Sequence, residues 1–261
     1  MINKIESQDN RIIKKCIKLQ SKKFRDKEGE YLIEGPNLVE EAVKNGAKIK
    51  AILVKDGYEP EIKLPDVDIY FLGNRLFSKI SMTTTPQGIM AIVEKENSSL
   101  EDISKDDKDG NILVLDKLQD PGNVGTIIRT ADAAGYSAII AMKGTIDIYS
   151  PKVVRSAAGS LFRVPIVFID DYEELKRQLK LMSKTIVATG FDTELMYYQE
   201  DLSKNIALVI GNEGNGVDKD LLTMADKVVK IPMHGNIESL NAAVACGILM
   251  YERNRNAREV K

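Results

Sequence analysis

Residues 205–253 read NIALVIGNEGNGVDKDLLTMADKVVKIPMHGNIESLNAAVACGILMYER, and this stretch decides the fold that we expect. The apolar, β-branched run Ile206–Ile210 predicts a buried strand, and a loop with three glycines and one carboxylate follows it at residues 211–216. A second short run, Val228–Ile231, leads through residues 232–241 into a helix. In open α/β sheets, ligands bind outside the carboxyl ends of strands. The stretch therefore predicts a ligand site built largely from backbone groups.

Upstream of this stretch, apolar runs alternate with segments of helical character. We expect strands at Ile112–Leu115, Ala138–Met142, Ile166–Ile169 and Ile186–Ala188. We expect helices between them at residues 124–134, 150–161 and 172–182. Strands that alternate with helices indicate an α/β fold with a mostly parallel sheet covered on both faces.

The last predicted helix runs from about Ser239 to Arg255. Its apolar residues Leu240, Val244 and Ile248 recur at helical spacing, and most residues from Ala242 to Gly247 have small side chains. Small residues let a helix approach its neighbour closely. The helix therefore either packs on its own sheet or forms an interface between subunits.

The front of the chain predicts a second, smaller α/β domain. We expect its strands at Ala51–Val54, Asp68–Leu72 and Ile89–Val93, and helices capped by Asn37 and at Leu76–Met82. Residues 96–111 are charged and poor in large apolar side chains, which is typical of a linker. The expected organisation is a small domain at 1–95, a linker at 96–111 and a larger domain at 112–261.

Composition excludes several classes of protein. No apolar run of the 261 residues is long enough to span a bilayer, and the charged N-terminus is not that of a signal peptide. Two cysteines, Cys16 and Cys246, are too few for a disulfide framework, so we expect a cytoplasmic protein. The single histidine, His234, argues against a multi-histidine metal site, and we expect no metal.

Eight basic residues crowd residues 11–27, although the net charge of the chain is only −2. They are Arg11, Lys14, Lys15, Lys18, Lys22, Lys23, Arg25 and Lys27. Such a cluster is either a solvated helix face or a contact for RNA phosphates. Lys22, Lys23 and Arg25 are the candidates for phosphate contact.

Three blocks of the larger domain carry residues suited to chemistry. Asn123–Ala131 is a turn that enters a helix, with Arg129 among apolar neighbours; its guanidinium needs water, an anion or an interhelical salt bridge. The block Gly211–Gly216 lacks the Lys-Ser/Thr ending of a phosphate-binding loop and the glycine spacing of a dinucleotide site. In the third block, Ser239 and Asn241 stand where they can cap a helix or meet a substrate.

Taken together and in this order, the three blocks closely resemble the motifs of the SpoU/TrmH family of RNA ribose methyltransferases, within the SPOUT superfamily. The resemblance covers roughly residues 112–252. It extends more weakly to Tyr31–Gly35 and Thr85–Gly88, which are similar to a small substrate-binding domain of ribosomal-protein-like fold. The resemblance implies a C-terminal trefoil knot, which sequence rules never predict because knots are very rare.

The resemblance also implies a cofactor and an assembly. S-adenosylmethionine is expected to sit in the knot, held mainly by backbone groups. The residues implied on or near it are Ala188, Thr189, Gly190, Gly211, Ile231, Met233, Leu240 and Asn241. The family works as homodimers with the last helix at the interface, which favours the interface interpretation of the small residues there.

The implied reaction is methylation of a ribose 2′-hydroxyl, in ribosomal RNA more than in transfer RNA. Arg129 is expected to grip a phosphate and stabilise the emerging alkoxide, and Asn123, Glu213, Ser239 and Asn241 are expected to orient the reacting groups. A further block at residues 152–159 resembles a family segment. Its Arg155 either holds RNA backbone or is a surface charge.

Other functions stay open from the sequence. One is an RNA-binding or ribosome-associated protein that has lost turnover, and another is a SPOUT enzyme that methylates a base. A nucleotide-dependent dehydrogenase is the general α/β alternative.

Overall fold

The computed structural model describes residues 2–107, 109–237 and 239–258. Contacts divide the chain into two compact units. The N-terminal unit comprises Met1–Glu96 with Asp147–Arg163, and the C-terminal unit comprises Asn97–Ile146 with Val164–Lys261. The segment 147–163 therefore interrupts one unit in sequence while belonging to the other.

The N-terminal unit contains one five-stranded sheet. Its strands are β1 (Ile2–Ile5), β2 (Glu30–Glu34), β3 (Ile49–Lys55), β4 (Asp68–Leu72) and β5 (Ile89–Glu94). They lie in the order β1-β4-β3-β5-β2, with β5 antiparallel to both of its neighbours. The strands β1 and β2 were not predicted, because each is only four or five residues long. In addition, β1 contains two polar residues and β2 begins and ends with a glutamate.

Four helices flank this sheet: α1 (Arg11–Leu19), α2 (Lys22–Glu28), α3 (Pro36–Lys44) and α4 (Asn74–Ile80). The core contains side chains from α1, α4 and the strands, among them Ile13, Phe77 and Ile92. The expected cap of α3 is wrong, since Pro36 begins the helix and Gly35 holds the cap position. Proline suits the first helical turn because its φ is preset and its missing amide is not needed there.

The sheet of the C-terminal unit has six parallel strands, which confirms the predicted α/β class. They are β6 (Ile112–Leu115), β7 (Ala138–Met142), β8 (Ile166–Ile169), β9 (Thr185–Thr189), β10 (Ile206–Ile210) and β11 (Lys227–Val229). Their order is β11-β9-β10-β6-β7-β8. The chain builds outward from β6 to β8 and then continues on the other side of β6. The neighbours β6 and β10 therefore flank the point where the strand order reverses.

Helices α5 (Leu100–Asp106), α6 (Pro121–Ala133), α8 (Tyr172–Leu181), α9 (Lys219–Met224) and α10 (Ala242–Arg258) belong to this unit. The helix α5 lies in the segment for which we expected a linker. Its Leu100 and Ile103 are buried in the core of the C-terminal unit, so two well-placed apolar residues suffice to dock a charged helix. None of the described helices is long and apolar enough to cross a membrane.

The segment 147–163 contains α7 (Pro151–Ser156) and a short 3-10 turn at Ser160–Phe162. We expected one helix from residue 150 to 161. The helix stops earlier because Ala158 and Gly159 adopt φ angles of 49° and 89°. A left-handed conformation at two successive residues cannot continue a right-handed helix.

Candidate active site

The loops that follow β6, β9, β10 and β11 emerge at the same edge of the C-terminal sheet, because all four strands are parallel. Leu115 pairs with Ile210 in the sheet register, so the loops after β6 and β10 start side by side. These two loops carry the first and second motif blocks. The two loops thus flank the topological switch point, which is where the strand pattern predicts the ligand site.

The carboxylate of Glu213 fastens these two loops together. It accepts hydrogen bonds from the backbone amides of Gln119 and Asp120, each at 3.0 Å, and from the side-chain amide of Asn123 at 3.2 Å. Partial burial by itself raises the pKa of the Glu213 carboxyl. The donors of Asp120, Gln119 and Asn123 outweigh burial, and the pKa lies below its ordinary value. Glu213 is therefore an ionised clamp.

Asn123 connects this clamp to the third motif block. While its Nδ2 donates to Glu213, its Oδ1 accepts a hydrogen bond from Nδ2 of Asn241 at 2.9 Å. The Oδ1 of Asn241 in turn accepts from the amides of Ala243 at 2.9 Å and Val244 at 3.3 Å, so Asn241 caps α10. One hydrogen-bonded chain, Glu213–Asn123–Asn241, joins all three motifs.

Residues 211–216, here called the clasp loop, need glycine at Gly211. A Cβ there would lie 2.1 Å from the carbonyl carbon of Gly216, closer than real side chains come to backbone. The backbone amides of Asn212 and Gly216 each donate to the other's carbonyl at 2.9 Å, which closes the loop. The side chain of Asn212 also donates to the carbonyl of Lys117 at 2.9 Å. The clasp loop is thus tied to the loop after β6.

Arg129 lies on α6, six residues after Asn123, and its side chain is exposed. Within the described parts of the chain it takes part in no hydrogen bond or ion pair. The interhelical salt bridge considered for this arginine is therefore absent among those residues. An exposed guanidinium without a protein partner is free to bind an anion such as an RNA phosphate.

Residues 231–240, here called the open segment, lead from β11 to the cap of α10. Among the described residues, their backbone amides and carbonyls make no hydrogen bond. Ile231, Met233 and Leu240 are half-buried, whereas Ser239 is exposed. Free donors and acceptors beside partly covered apolar side chains fit a ligand such as S-adenosylmethionine, which carries an apolar purine ring and several polar groups.

The expected cofactor contacts at β9 differ in their access. Ala188 is fully buried inside the sheet, and its place beside the cofactor stays a prediction. Thr189 and Gly190 are half-buried at the end of the strand. The amide of Gly190 donates to the carbonyl of Val229 at 3.1 Å, which fixes the start of the following loop.

A polar network behind the site was not predicted. Asp116 is 1% exposed, and its carboxylate accepts from the hydroxyl of Tyr172 and from the amide of Asp218, both at 2.8 Å. The ammonium of Lys117 pairs with Asp218 at 2.6 Å. Burial and then the Asp116 carboxylate raise the pKa of Tyr172 to about 12, against the opposing effect of Lys117. The signal available in the sequence is the charged pair Asp116-Lys117 directly after a buried strand.

The RNA-contact candidates divide into engaged and free side chains. Arg25 is 4% exposed; it donates to Asp147 at 2.9 Å and to the carbonyl of Leu19 at 2.8 Å. The expectation that Arg25 contacts RNA is therefore wrong, because the cation is already paired and covered. Lys22 pairs with Asp26 at 2.7 Å, whereas Lys23 and Arg155 are exposed and have no partner among the described residues.

Comparison with known proteins agrees with this geometry. Residues 110–251 match the SpoU rRNA Methylase family, and residues 10–91 match an MRM3-like substrate binding domain. The chain is similar to the 23S rRNA (guanosine(2553)-2'-O)-methyltransferase RlmP of Bacillus subtilis. The two are 39% identical over 257 residues, which cover 96% of this chain and 98% of the relative.

Two solved structures with a bound cofactor are also similar. The AdoMet-bound rRNA methyltransferase from Sinorhizobium meliloti has a TM-score of 0.88 and 33% identity, over 98% of both chains. The SpoU methyltransferase AviRb from Streptomyces viridochromogenes, in complex with AdoMet, has a TM-score of 0.87 and 27% identity, over 95% of this chain and 98% of that one. The family match spans more than half of the chain, and the sequence and structural likenesses span nearly all of it. This chain belongs to the SpoU rRNA methylase family.

Proposed function

We propose that this protein transfers the methyl group of S-adenosylmethionine to the 2′-hydroxyl of one ribose in ribosomal RNA, and that it does so in the cytoplasm as a homodimer. The observation that carries the proposal is the hydrogen-bonded chain Glu213–Asn123–Asn241, which ties the three motif blocks to the helix of the unpaired Arg129. Family membership and the AdoMet-bound structural relatives support the cofactor.

The open segment, Gly211 and the residues Thr189 and Gly190 are the part of the chain that holds the cofactor. When bound, S-adenosylmethionine supplies an electrophilic methyl group on a sulfonium sulfur. Such a donor needs no covalent enzyme intermediate, and positioning provides much of the rate acceleration. The amides and carbonyls of the open segment that have no partner among the described residues provide that positioning.

Arg129 acts on the ribose side of the reaction. Arginine is effectively always protonated, so it serves as a cation and not as the base that removes the hydroxyl proton. Its guanidinium donates two hydrogen bonds to the phosphate next to the target ribose and stabilises the alkoxide charge that develops in the transition state. Asn123 and Asn241 hold the start of α6 against the start of α10, and Ser239 lies exposed two residues before that cap.

The choice of ribosomal RNA rests on the relatives. The Bacillus subtilis protein is named for a guanosine of 23S rRNA, and residues 10–91 match a substrate-binding domain. We therefore assign RNA binding to the domain at 1–95 and methyl transfer to the domain at 112–261. A trefoil knot in the C-terminal segment is part of the same proposal.

The homodimer rests on the outer face of α10. Val244 and Tyr251 are 53% and 47% exposed and stand seven residues apart, so they share one helix face. On the opposite side, Cys246, Leu249 and Met250 are fully buried within the chain. A helix that buries one apolar face and exposes another suits a symmetric subunit contact.

Methyl transfer to RNA tests the proposal directly. The purified protein is incubated with labelled S-adenosylmethionine and with either 23S rRNA transcribed in vitro or total transfer RNA, and the product is digested and analysed by mass spectrometry. The proposal predicts a methyl group on a ribose of 23S rRNA. A methyl on a base identifies a base methyltransferase. Tight RNA binding without any transfer identifies an inactive binding protein.

A further inference from the structure

A loop of the N-terminal unit, residues 81–87, is held in place by a single carboxylate. Glu34 stands at the end of β2, is 8% exposed, and accepts three hydrogen bonds from this loop. The donors are the hydroxyl of Ser81 at 2.7 Å, the amide of Met82 at 2.8 Å and the hydroxyl of Thr83 at 3.0 Å. One side chain therefore fixes the first half of the loop.

The rest of the loop has little other support. Within the described residues, no backbone group of residues 82–87 bonds to another backbone group. The hydroxyl of Thr83 also lies 3.0 Å from the carbonyl of Thr85, so its single proton is shared between Glu34 and this carbonyl and links the two along the loop. Gly35 adopts a φ of 106°, and a Cβ there would lie 2.2 Å from Oε1 of Gln87. The loop thus closes over Gly35 because that residue has no side chain.

The tip of this loop presents neutral polar groups to solvent. Thr84, Thr85 and Gln87 are exposed, and their side chains have no hydrogen-bond partner in the described structure. Thr83 lines a small cleft together with Arg155, Val154 and Pro151 of α7. The exposed Arg155 therefore lines the same cleft as Thr83, which directly precedes the exposed Thr84 and Thr85 in the chain, and all of them belong to one compact unit.

We propose that Thr84, Thr85, Gln87 and Arg155 form an RNA-contact surface that recognises an unpaired loop of the substrate RNA, with Glu34 as its positioning residue. Arg155 binds a phosphate, while the hydroxyls and the amide bond to ribose 2′-hydroxyls and base edges. Glu34 does not touch RNA; it acts by holding residues 81–83. This inference rests on the proposed function and names the surface that selects the substrate.

The two kinds of contact have different signatures in a salt titration. Loss of one phosphate contact lowers the slope of log affinity against log salt by about 0.7 to 0.9, whereas loss of neutral contacts leaves the slope unchanged. Arg155→Ala is therefore expected to weaken RNA binding and reduce the slope. The double variant Thr84→Ala with Thr85→Ala is expected to weaken binding at every salt concentration equally.

Glu34→Gln separates positioning from direct contact. Glutamine keeps the shape but turns one acceptor oxygen into a donor that faces the donors of Ser81–Thr83, so the loop loses its position. We expect RNA affinity to fall about tenfold with an unchanged salt slope, as in the threonine variant. The affinity for S-adenosylmethionine and the kcat at saturating RNA are expected to stay within twofold of wild type.

The experiment uses the full chain and unmodified 23S rRNA transcribed in vitro. Affinity is measured by filter binding over a range of salt, and the Tm of each variant is recorded. Lys44→Ala is the matched control, because this cation lies at the far end of α3, about 13.5 Å along the helix from Gly35. It is expected to keep the wild-type slope and affinity.

The outcomes separate the two proposals. The wild type could methylate this RNA while all three variants, Glu34→Gln, the double threonine variant and Arg155→Ala, bind the RNA with wild-type affinity. In that case the proposed RNA-contact surface is wrong and the proposed function stands. If Glu34→Gln binds weakly but the threonine variant does not, the positioning role is wrong. If the wild type neither binds nor methylates the RNA, the proposed function and this surface both fall.

Discussion

The clasp loop follows β10 and the open segment follows β11 at the same edge of the sheet. The polar groups of the clasp loop are hydrogen-bonded within the protein, whereas the described backbone groups of the open segment are not. In the clasp loop, Asn212 and Glu213 bond to the loop itself and to the turn that starts α6. In the open segment, no described backbone group has a partner. The clasp loop is thus a fixed frame, whereas the described backbone groups of the open segment are available to the cofactor that we propose binds there.

Removal of Arg129 tests the reactive side of this frame and should have the largest effect. Arg129→Ala is expected to lower kcat about 100-fold or more. Removal of a single hydrogen-bond donor that stabilises the transition state has an effect of this size in other enzymes. The affinity for S-adenosylmethionine, measured by calorimetry, should stay within about twofold. Arg129→Lys is the control: it keeps the charge but not the fork, and it should recover only part of the activity. Turnover of the alanine variant within about tenfold of wild type, or roughly 1.4 kcal/mol in barrier, would show that the role is wrong.

Loosening the clasp loop should have the next largest effect. Glu213→Gln offers one acceptor oxygen where the carboxylate offers two, so one of the two backbone amides, that of Gln119 or that of Asp120, loses its partner and faces an NH2 group. We expect the free energy of unfolding to fall by about 1–3 kcal/mol and the activity to fall with it. Denaturant titration and steady-state kinetics measure the two quantities. Asp220→Asn, a change at an exposed carboxyl on α9, is the control and should alter neither.

The same carboxyl predicts a pH dependence. The pKa of Glu213 is lower in the folded protein than in the unfolded chain, so its contribution to stability is present above the unfolded value of about 4.3. That contribution is lost as the pH falls through the lower, folded pKa. The difference in unfolding free energy between wild type and Glu213→Gln is therefore expected to shrink from pH 6 to below pH 4. A difference that grows in acid would contradict the ionised clamp.

The smallest of these effects is expected from Asn241, which caps α10 and bonds to Asn123 at the start of α6. Asn241→Ala removes the helix cap and the bond to Asn123, which should lower stability by about 1 kcal/mol. Asn241→Ser keeps a capping oxygen but cannot reach Asn123 in the same way, so it should recover stability without recovering full activity. Equal activity in the serine variant and wild type would show that the Asn123 contact has no role in the reaction.

The strands of the C-terminal unit follow from the sequence, and some other elements do not. Ile112–Leu115 and Ile206–Ile210 are short continuous apolar runs rich in β-branched residues, which is the pattern of a parallel strand buried on both faces. In contrast, β2 begins and ends with glutamates and α5 is mostly charged. Those two elements form because tertiary contacts cover a few apolar residues, which a local pattern does not reveal.

The sequence predicts where the candidate site lies, but it does not predict which of its residues hydrogen-bond to one another. Loops with glycine and amide residues at strand ends predict where a ligand binds, and the resemblance to the SpoU/TrmH motifs gave Arg129, Asn123 and Glu213 their expected roles there. The sequence does not show that Glu213 serves the turn before α6, since the two are 93 residues apart. Nor does it distinguish Arg25, which is buried by Asp147, from the exposed Lys23 of the same basic cluster.

Amide hydrogen exchange with and without S-adenosylmethionine compares the two loops in one measurement. Binding should slow exchange in the open segment by about tenfold or more, because amides such as those of Ile231, Met233 and Leu240 gain partners there. The amides of Asn212 and Gly216 are already bonded and should exchange at the same rate in both states. Protection confined to the clasp loop, or no change in the open segment at saturating cofactor, would contradict the account.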